Sequence, residues 1–235
     1  MKSCDPKSAS PIRVLLAADD SIHSRLLADA LKRDQSLSIV AVAPNSLEFR
    51  RIADGTNPDV VILSIHLDDD PKGGIAALRE FRDAHPQIPA IIMLDSPKSE
   101  VVLDAFRAGA QGIFSEHESL ETLRKCVRVV FEGQVWATTR EVKFALQALA
   151  SARTPQPVKG GGLRLLTRRE RQVVDLLAEG LTNREIGERL GLSRHTVKNY
   201  LLKIFDKLGV SNRVELLFLT LTHPVQGPSH DQIDN

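Results

Sequence analysis

Thr182-Asn183-Arg184-Glu185-Ile186-Gly187-Glu188-Arg189-Leu190-Gly191-Leu192-Ser193 decides how residues 163–223 of this 235-residue chain are read. A threonine followed three residues later by glutamate is a capping box, so a helix starts after Thr182 and turns Ile186 and Leu190 inward. Gly191 stops it, and Ser193 caps a longer helix that runs to Leu208 and closes at Gly209. Upstream, Thr167-Arg168-Arg169-Glu170 is another capping box, opening a helix with Val173, Val174 and Leu177 on one face and Gly180 at its end. Asn212 with Glu215 marks the start of a fourth helix.

A short helix, a tight turn and a longer helix form the helix-turn-helix layout, whose second member lies in the major groove of a DNA duplex. At 100° per residue the longer helix sorts into two faces. Val197, Leu201, Ile204 and Leu208 make the core seam, and His195, Lys198, Asn199, Leu202 and Lys203 lie opposite. Lysines there neutralise phosphates or donate to guanine, Asn199 suits a bidentate contact with adenine, and Leu202 is expected to meet a thymine methyl. Ser193 and Thr196 in the first turn join this candidate DNA-contacting set. Thr182, Asn183 and Arg184, at a helix N-terminus with free backbone N–H groups, are expected to grip the phosphate backbone. The competing reading is a small helical bundle with a solvated charged face.

The residues weigh against that bland reading. Leu166 to Gly180, Thr182 to Ser193, His195 to Asn199 and Lys207 to Arg213 together resemble the LuxR/NarL-type helix-turn-helix almost throughout, over roughly a quarter of the chain. By that resemblance the fourth helix mediates dimerisation, which assigns Val214, Leu217, Phe218 and Leu221 to a subunit interface; alternatively this apolar face closes its own domain's core. A two-fold symmetric protein of this layout reads an inverted repeat in double-stranded DNA, so a homodimer on an approximately palindromic operator is expected.

From Ile12 to about Gly133 the pattern changes. Short Val- and Ile-rich runs (Val14–Ala17, Ser38–Val42, Val60–Leu63, Ala90–Leu94, Gly112–Phe114) alternate with amphipathic stretches such as Leu26-Leu27-Ala30-Leu31, Val101-Val102-Ala105-Phe106 and Leu120-Leu123-Val127-Val130. Near-continuous apolar runs are the mark of strands buried on both faces, so five βα repeats predict a doubly wound α/β parallel sheet, with functional groups collecting at the strands' carboxyl ends. The domain boundaries expected are 11–133 for this unit, 134–162 for a helix and flexible linker containing two prolines and a triple glycine, 163–223 for the helix-turn-helix, and 224–235 for a disordered tail.

Residues 12–133 resemble the receiver domain of response regulators, the usual partner of this DNA-binding module. The resemblance places the acidic pair at Asp19 and Asp20, yet it puts Ser64 where the family carries its phosphorylated aspartate. Asp95 stands at the family's switch Thr or Ser, Glu116 at its lysine and Ile113 at its switch aromatic. These departures agree with one another: a serine hydroxyl without an adjacent base is a poor nucleophile at neutral pH. Exchanging lysine for glutamate replaces attraction by repulsion, ~4 kcal/mol in gross Coulomb terms at ~4 Å and an effective dielectric of ~20. The expectation is a degenerate phosphoacceptor pocket of Asp19, Asp20, Ser64, Asp95 and Glu116, in an atypical receiver regulated independently of aspartyl phosphorylation and open instead to a protein partner or small ligand. The alternative is a conventional phosphorylation-gated two-component response regulator, with Asp68, Asp69 or Asp70 as a displaced acceptor. No cofactor or metal is expected, although a cation among Asp19, Asp20 and Asp95 is chemically admissible.

Bulk properties fit this division. Residues 163–223 carry eleven Lys and Arg against seven Asp and Glu, so that segment is +4 and the remainder −3 within a net charge of +1. A basic module suits a polyanion. No run approaches the ~18–20 apolar residues of a membrane span and no secretory signal opens the chain, so a cytoplasmic address without membrane contact is expected. Cys4 and Cys126 show no metal-type spacing. Nothing indicates an enzyme: Ser64 lacks a G-x-S-x-G elbow, there is no Gly-rich phosphate loop, and His66 two residues on is read as incidental.

Overall fold

The computed structural model describes residues 10–19, 21–142, 144, 162–210 and 213–222. The chain divides into two units, 1–153 and 154–235. Asp20, Cys4, Asn212, residues 143 and 145–161 of the expected helix and linker, and the expected tail lie outside the described residues.

Five strands build the first unit: β1 (Ile12–Ala17), β2 (Leu37–Ala43), β3 (Val60–Ser64), β4 (Ala90–Leu94) and β5 (Gly112–Ser115). All pair in parallel, as the apolar runs predict, and their order in the sheet is β2-β1-β3-β4-β5. Every residue of β3 and β4 is buried, whereas β2, at the sheet edge, is only half-buried through its middle. Helices α1 (Ile22–Lys32), α2 (Ser46–Thr56), α3 (Gly73–Ala84), α4 (Ser99–Arg107) and α5 (Leu120–Phe131) alternate with the strands. Ser21, Asn45 and Ser119 cap α1, α2 and α5 by accepting a backbone N–H three residues on.

Strand order reverses between β1 and β3, which opens a crevice at their carboxyl ends. Met93 and Phe114, from β4 and β5, share one core with Leu16, Ile62, Leu123 and Val127. Helix α1 departs from expectation. Leu26 is 64% exposed and Ile22, one turn earlier, 77% exposed; Ala28 and Leu31 carry the core contact instead. Cys126 is buried, and burial, with help from Glu118 and Glu141, pushes its thiol far above the ordinary range, which suits an inert packing residue.

The second unit is helical: α6 (Arg168–Ala178), α7 (Asn183–Leu190), α8 (Arg194–Leu208) and α9 (Arg213–Thr222). Its core joins Val173, Val174, Leu177, Ile186, Val197, Leu201, Ile204 and Leu216. Among the described residues no helix is long and apolar enough to cross a membrane.

Candidate functional site

Both capping boxes form as read. Glu185 N donates to Thr182 Oγ1 at 3.1 Å while Thr182 N donates to Glu185 Oε2 at 2.7 Å, and Thr167 with Glu170 repeats the pattern. Between α7 and α8 the chain turns through Gly191 in the left-handed region, φ +67°, and Leu192 N donates to Gly187 O at 2.7 Å. A Cβ on Gly187 would stand 2.6 Å from Leu192 O, so the approach of the two helices requires glycine there. Ser193 Oγ accepts from Thr196 N at 3.0 Å and starts α8, and Gly209, φ +66°, ends it.

The faces of α8 fall largely as geometry dictates. Val197, Leu201, Ile204 and Leu208 are buried, and Phe205, which the sequence reading omitted, joins them. His195, Asn199 and Lys203 are exposed; Thr196 and Lys198 are half-buried. Leu202 requires a correction: it is half-buried and packs against the domain core, so its apolar character is explained without a groove.

At the start of α7 the three expected phosphate-gripping residues separate. Arg184 is exposed, its Nε 3.5 Å from Glu188 Oε1, and Thr182 is half-buried in its capping box. Asn183 is a second correction. It is only 4% exposed, and its Oδ1 accepts from Arg213 Nη1 at 3.1 Å. Arg213, 3% exposed, also donates from Nη2 to Leu181 O at 2.8 Å, and burial lowers its guanidinium to about 10. The Asn183–Arg213 pair ties α9 to the start of α7, and the buried side chain of Asn183 is unavailable to a phosphate.

Part of the face assigned to dimerisation packs within its own domain. Val214 is buried and Leu217 partly buried against their own domain's core, beside Leu216 and Leu219. Nothing is described for the side chains of Phe218 and Leu221. Lys207 is committed inside the unit as well, its Nζ 2.7 and 2.8 Å from the carboxylate oxygens of the buried Glu170.

In the first unit a cavity of about 430 Å³ opens at the carboxyl ends of the strands. Ala18 and Asp19 follow β1 into it, Ser64 ends β3 there, and Glu116 and Glu118 approach from the turn after β5. Ser64 pairs with Met93 of β4, which fixes its register. The residue as a whole is 8% exposed, and among the described residues its hydroxyl, which is not among the fully buried atoms, makes no hydrogen bond. Asp19 accepts from Ser24 Oγ at 2.7 Å and Ser21 Oγ at 3.0 Å. Leu26, Leu27, Ala30, Leu120 and Leu123 supply apolar lining, and among the described residues the lining contains neither lysine nor arginine.

Asp95 does not line the cavity. Its Oδ2 lies 3.6 Å from His66 Nε2, and although burial raises its carboxyl, the Ser96 N–H and His66 more than offset this and hold it below the usual range. His66 itself lines the cavity, as do His23 and Glu118, three residues the sequence reading did not place there. The tight β3–α3 turn carries Asp68, Asp69 and Asp70 away: Asp68 accepts from Ser46 N at 2.9 Å, Asp70 from Lys72 N at 2.7 Å, and none of the three lines the cavity. Ile113 is fully buried. Among the described residues no group of three or more His, Cys, Asp or Glu side chains is arranged to hold a metal ion.

A parallel 2-1-3-4-5 sheet followed by a four-helix unit with a helix-turn-helix defines a two-domain regulator. Residues 14–128 match the response regulator receiver domain, and residues 164–220 match the bacterial regulatory proteins of the luxR family. The chain is 31% identical over 204 residues to the DNA-binding transcriptional activator DevR/DosR of Mycobacterium tuberculosis, covering 87% of this chain and 91% of that protein. It is 29% identical over 216 residues to the response regulator GacA of Pseudomonas viridiflava, covering 90% and 96%. The fold is shared with the RcsB response regulator of Salmonella typhimurium (TM-score 0.52, 18% identity, 89% and 97% covered). This chain therefore belongs to the LuxR-family response regulators, DNA-binding regulators of transcription that join a receiver to a luxR-type helix-turn-helix.

Proposed function

We propose that this regulator binds duplex DNA through α8 and that its receiver governs binding independently of aspartyl phosphorylation. The observation that carries the second part is Ser64, the last residue of β3, held in register against Met93 at the strand end where the resemblance places the phosphoacceptor. The surrounding cavity reinforces it. Asp19, Glu116 and Glu118 contribute negative charge, and among the described residues the lining offers no lysine or arginine to receive a phosphoryl group. Asp68 is held at the start of α2 by the Ser46 N–H, which argues against it as a displaced acceptor.

For DNA, His195, Lys198, Asn199 and Lys203 supply the outward face of α8, with Ser193 and Thr196 in its first turn. Arg184 and the free N–H groups at the start of α7 serve the phosphate backbone. The regulator acts at the chromosome, hence in the cytoplasm, as a homodimer on an inverted repeat. Fluorescence anisotropy with a duplex selected from a random pool, with and without beryllofluoride and Mg²⁺, tests both parts. Salt-sensitive binding that beryllofluoride leaves unchanged is expected; tightening by beryllofluoride would return the chain to conventional phosphorylation gating.

A further inference from the structure

Resting on the reading that α8 is the helix that meets the bases, we infer that Arg169 and Glu170, consecutive in the first turn of α6, are positioning residues for recognition: they fix the two ends of α8 and so set the angle at which it enters the groove. Neither lies on α8. Arg169, half-buried, donates from Nη2 to Leu190 O, the carbonyl that ends α7 immediately before the Gly191 turn, and from Nη1 to Gln172 Oε1 at 3.1 Å. Glu170, 4% exposed, accepts at 2.7 and 2.8 Å from the Nζ of Lys207, in the last turn of α8.

These ties are directional where the core contact is not. The seam of Val197, Leu201, Ile204 and Leu208 holds α8 down by apolar burial, which tolerates a helix that slides or tilts along its ridge. A hydrogen bond weakens steeply once its distance and angle are lost. The 15 residues of α8 span ~22 Å at ~1.5 Å per residue, so a tilt of about 10° moves one end by ~4 Å, more than a hydrogen bond between fixed partners tolerates. Binding groups must be held to about that precision to act.

Each tie is braced on its α6 side. Thr167 donates from N and Oγ1 to Glu170 Oε2 at 2.8 and 3.0 Å, so the carboxylate that receives Lys207 is itself held, and Gln172 holds the Arg169 guanidinium in the same way. Leu190 O is one of the carbonyls that a helix end leaves without an internal partner, and Arg169 satisfies it at the point where the chain turns towards α8. Sequence-independent affinity comes from phosphate contacts, whereas sequence is read at base edges. Loss of either tie therefore spares affinity for any duplex and costs discrimination between duplexes.

Anisotropy titrations of the full chain against a selected operator duplex and a random duplex, across a salt series, test the proposal. Arg169→Met and Lys207→Met should each lower the ratio of operator to random affinity about tenfold, the worth of one well-made base contact, with the random-duplex affinity and its salt slope unchanged. Arg169→Lys, which keeps a donor for Leu190 O, should recover part of that ratio. Hydrogen exchange over 168–178 in each variant reports whether the helical unit remains folded. An unchanged ratio, a salt slope lowered by about 1 as a phosphate contact would give, or loss of protection in both methionine variants would overturn the proposal. A parent chain that does not distinguish operator from random duplex defeats the reading of α8 and this proposal with it, whereas a discriminating parent with indifferent variants defeats only the positioning role.

Discussion

Replacing Gly187 with alanine puts a methyl group 2.6 Å from the carbonyl oxygen of Leu192, about 0.8 Å inside ordinary contact. That carbonyl belongs to the turn whose Leu192 N–H is bonded to Gly187 O, so relief requires α7 and α8 to separate at their junction. Overpacking against backbone costs about 3 kcal/mol, at the upper end of the usual range. Alanine's better helix propensity returns about 1 kcal/mol, leaving a net loss of about 2 kcal/mol. Gly55, inside α2, is the control: a Cβ there meets nothing within 4 Å, so Gly55→Ala should gain about 0.5–1 kcal/mol. Two units need not unfold in one transition, so hydrogen exchange by mass spectrometry is the suitable assay. Peptides spanning 183–208 should lose protection in Gly187→Ala, and those spanning 46–56 should gain it in Gly55→Ala. Undiminished protection in 183–208 would refute the claim that glycine is required to seat α8 on α7.

Further consequences follow from the same geometry. Lys198→Ala should lower the slope of log affinity against log salt by about 1 if it contacts phosphate, or relax one base position if it reads guanine, as anisotropy titrations will resolve. Asn183→Ala leaves the Arg213 guanidinium buried with one partner fewer and should destabilise the helical unit by about 2 kcal/mol in urea melts, without altering the salt slope. Burial raises the Glu170 carboxyl, but the Lys207 ammonium and the Thr167 hydrogen bonds outweigh it and hold it below its ordinary value. Its contribution is therefore complete above the unfolded value near pH 4.5 and is lost as pH falls through the lower folded value. Melting of Glu170→Gln should accordingly show a weaker acid dependence than the parent chain.

The parts of this fold that local chemistry dictates are legible in the sequence. Two capping boxes, three helix-ending glycines with positive φ and five Val- and Ile-rich runs each form the element their residues specify. What escaped depends on distant partners. Asn183 reads as a solvent-facing helix-start residue until Arg213, thirty positions on, folds back to bury it. Helical periodicity puts Leu202 opposite the core seam, but neighbouring helices in so small a unit wrap far enough to half-bury it. Leu26 escaped for the reverse reason. Its apolar neighbours suggested a core face, yet α1 packs on the sheet through Ala28 and Leu31 and leaves Leu26 on the cavity wall. Ser64, Asp19 and Glu116 line one cavity at the strand ends, because strand order places them there whatever their chemistry; Asp95, one residue beyond β4, turns instead to His66.

The most direct test of the central claim is the intact mass and DNA affinity of the full chain after incubation with acetyl phosphate and Mg²⁺. An unchanged mass and an unchanged anisotropy midpoint are predicted. A phosphoryl adduct mapped to an aspartate of the 68–70 turn, accompanied by tighter DNA binding, would contradict it.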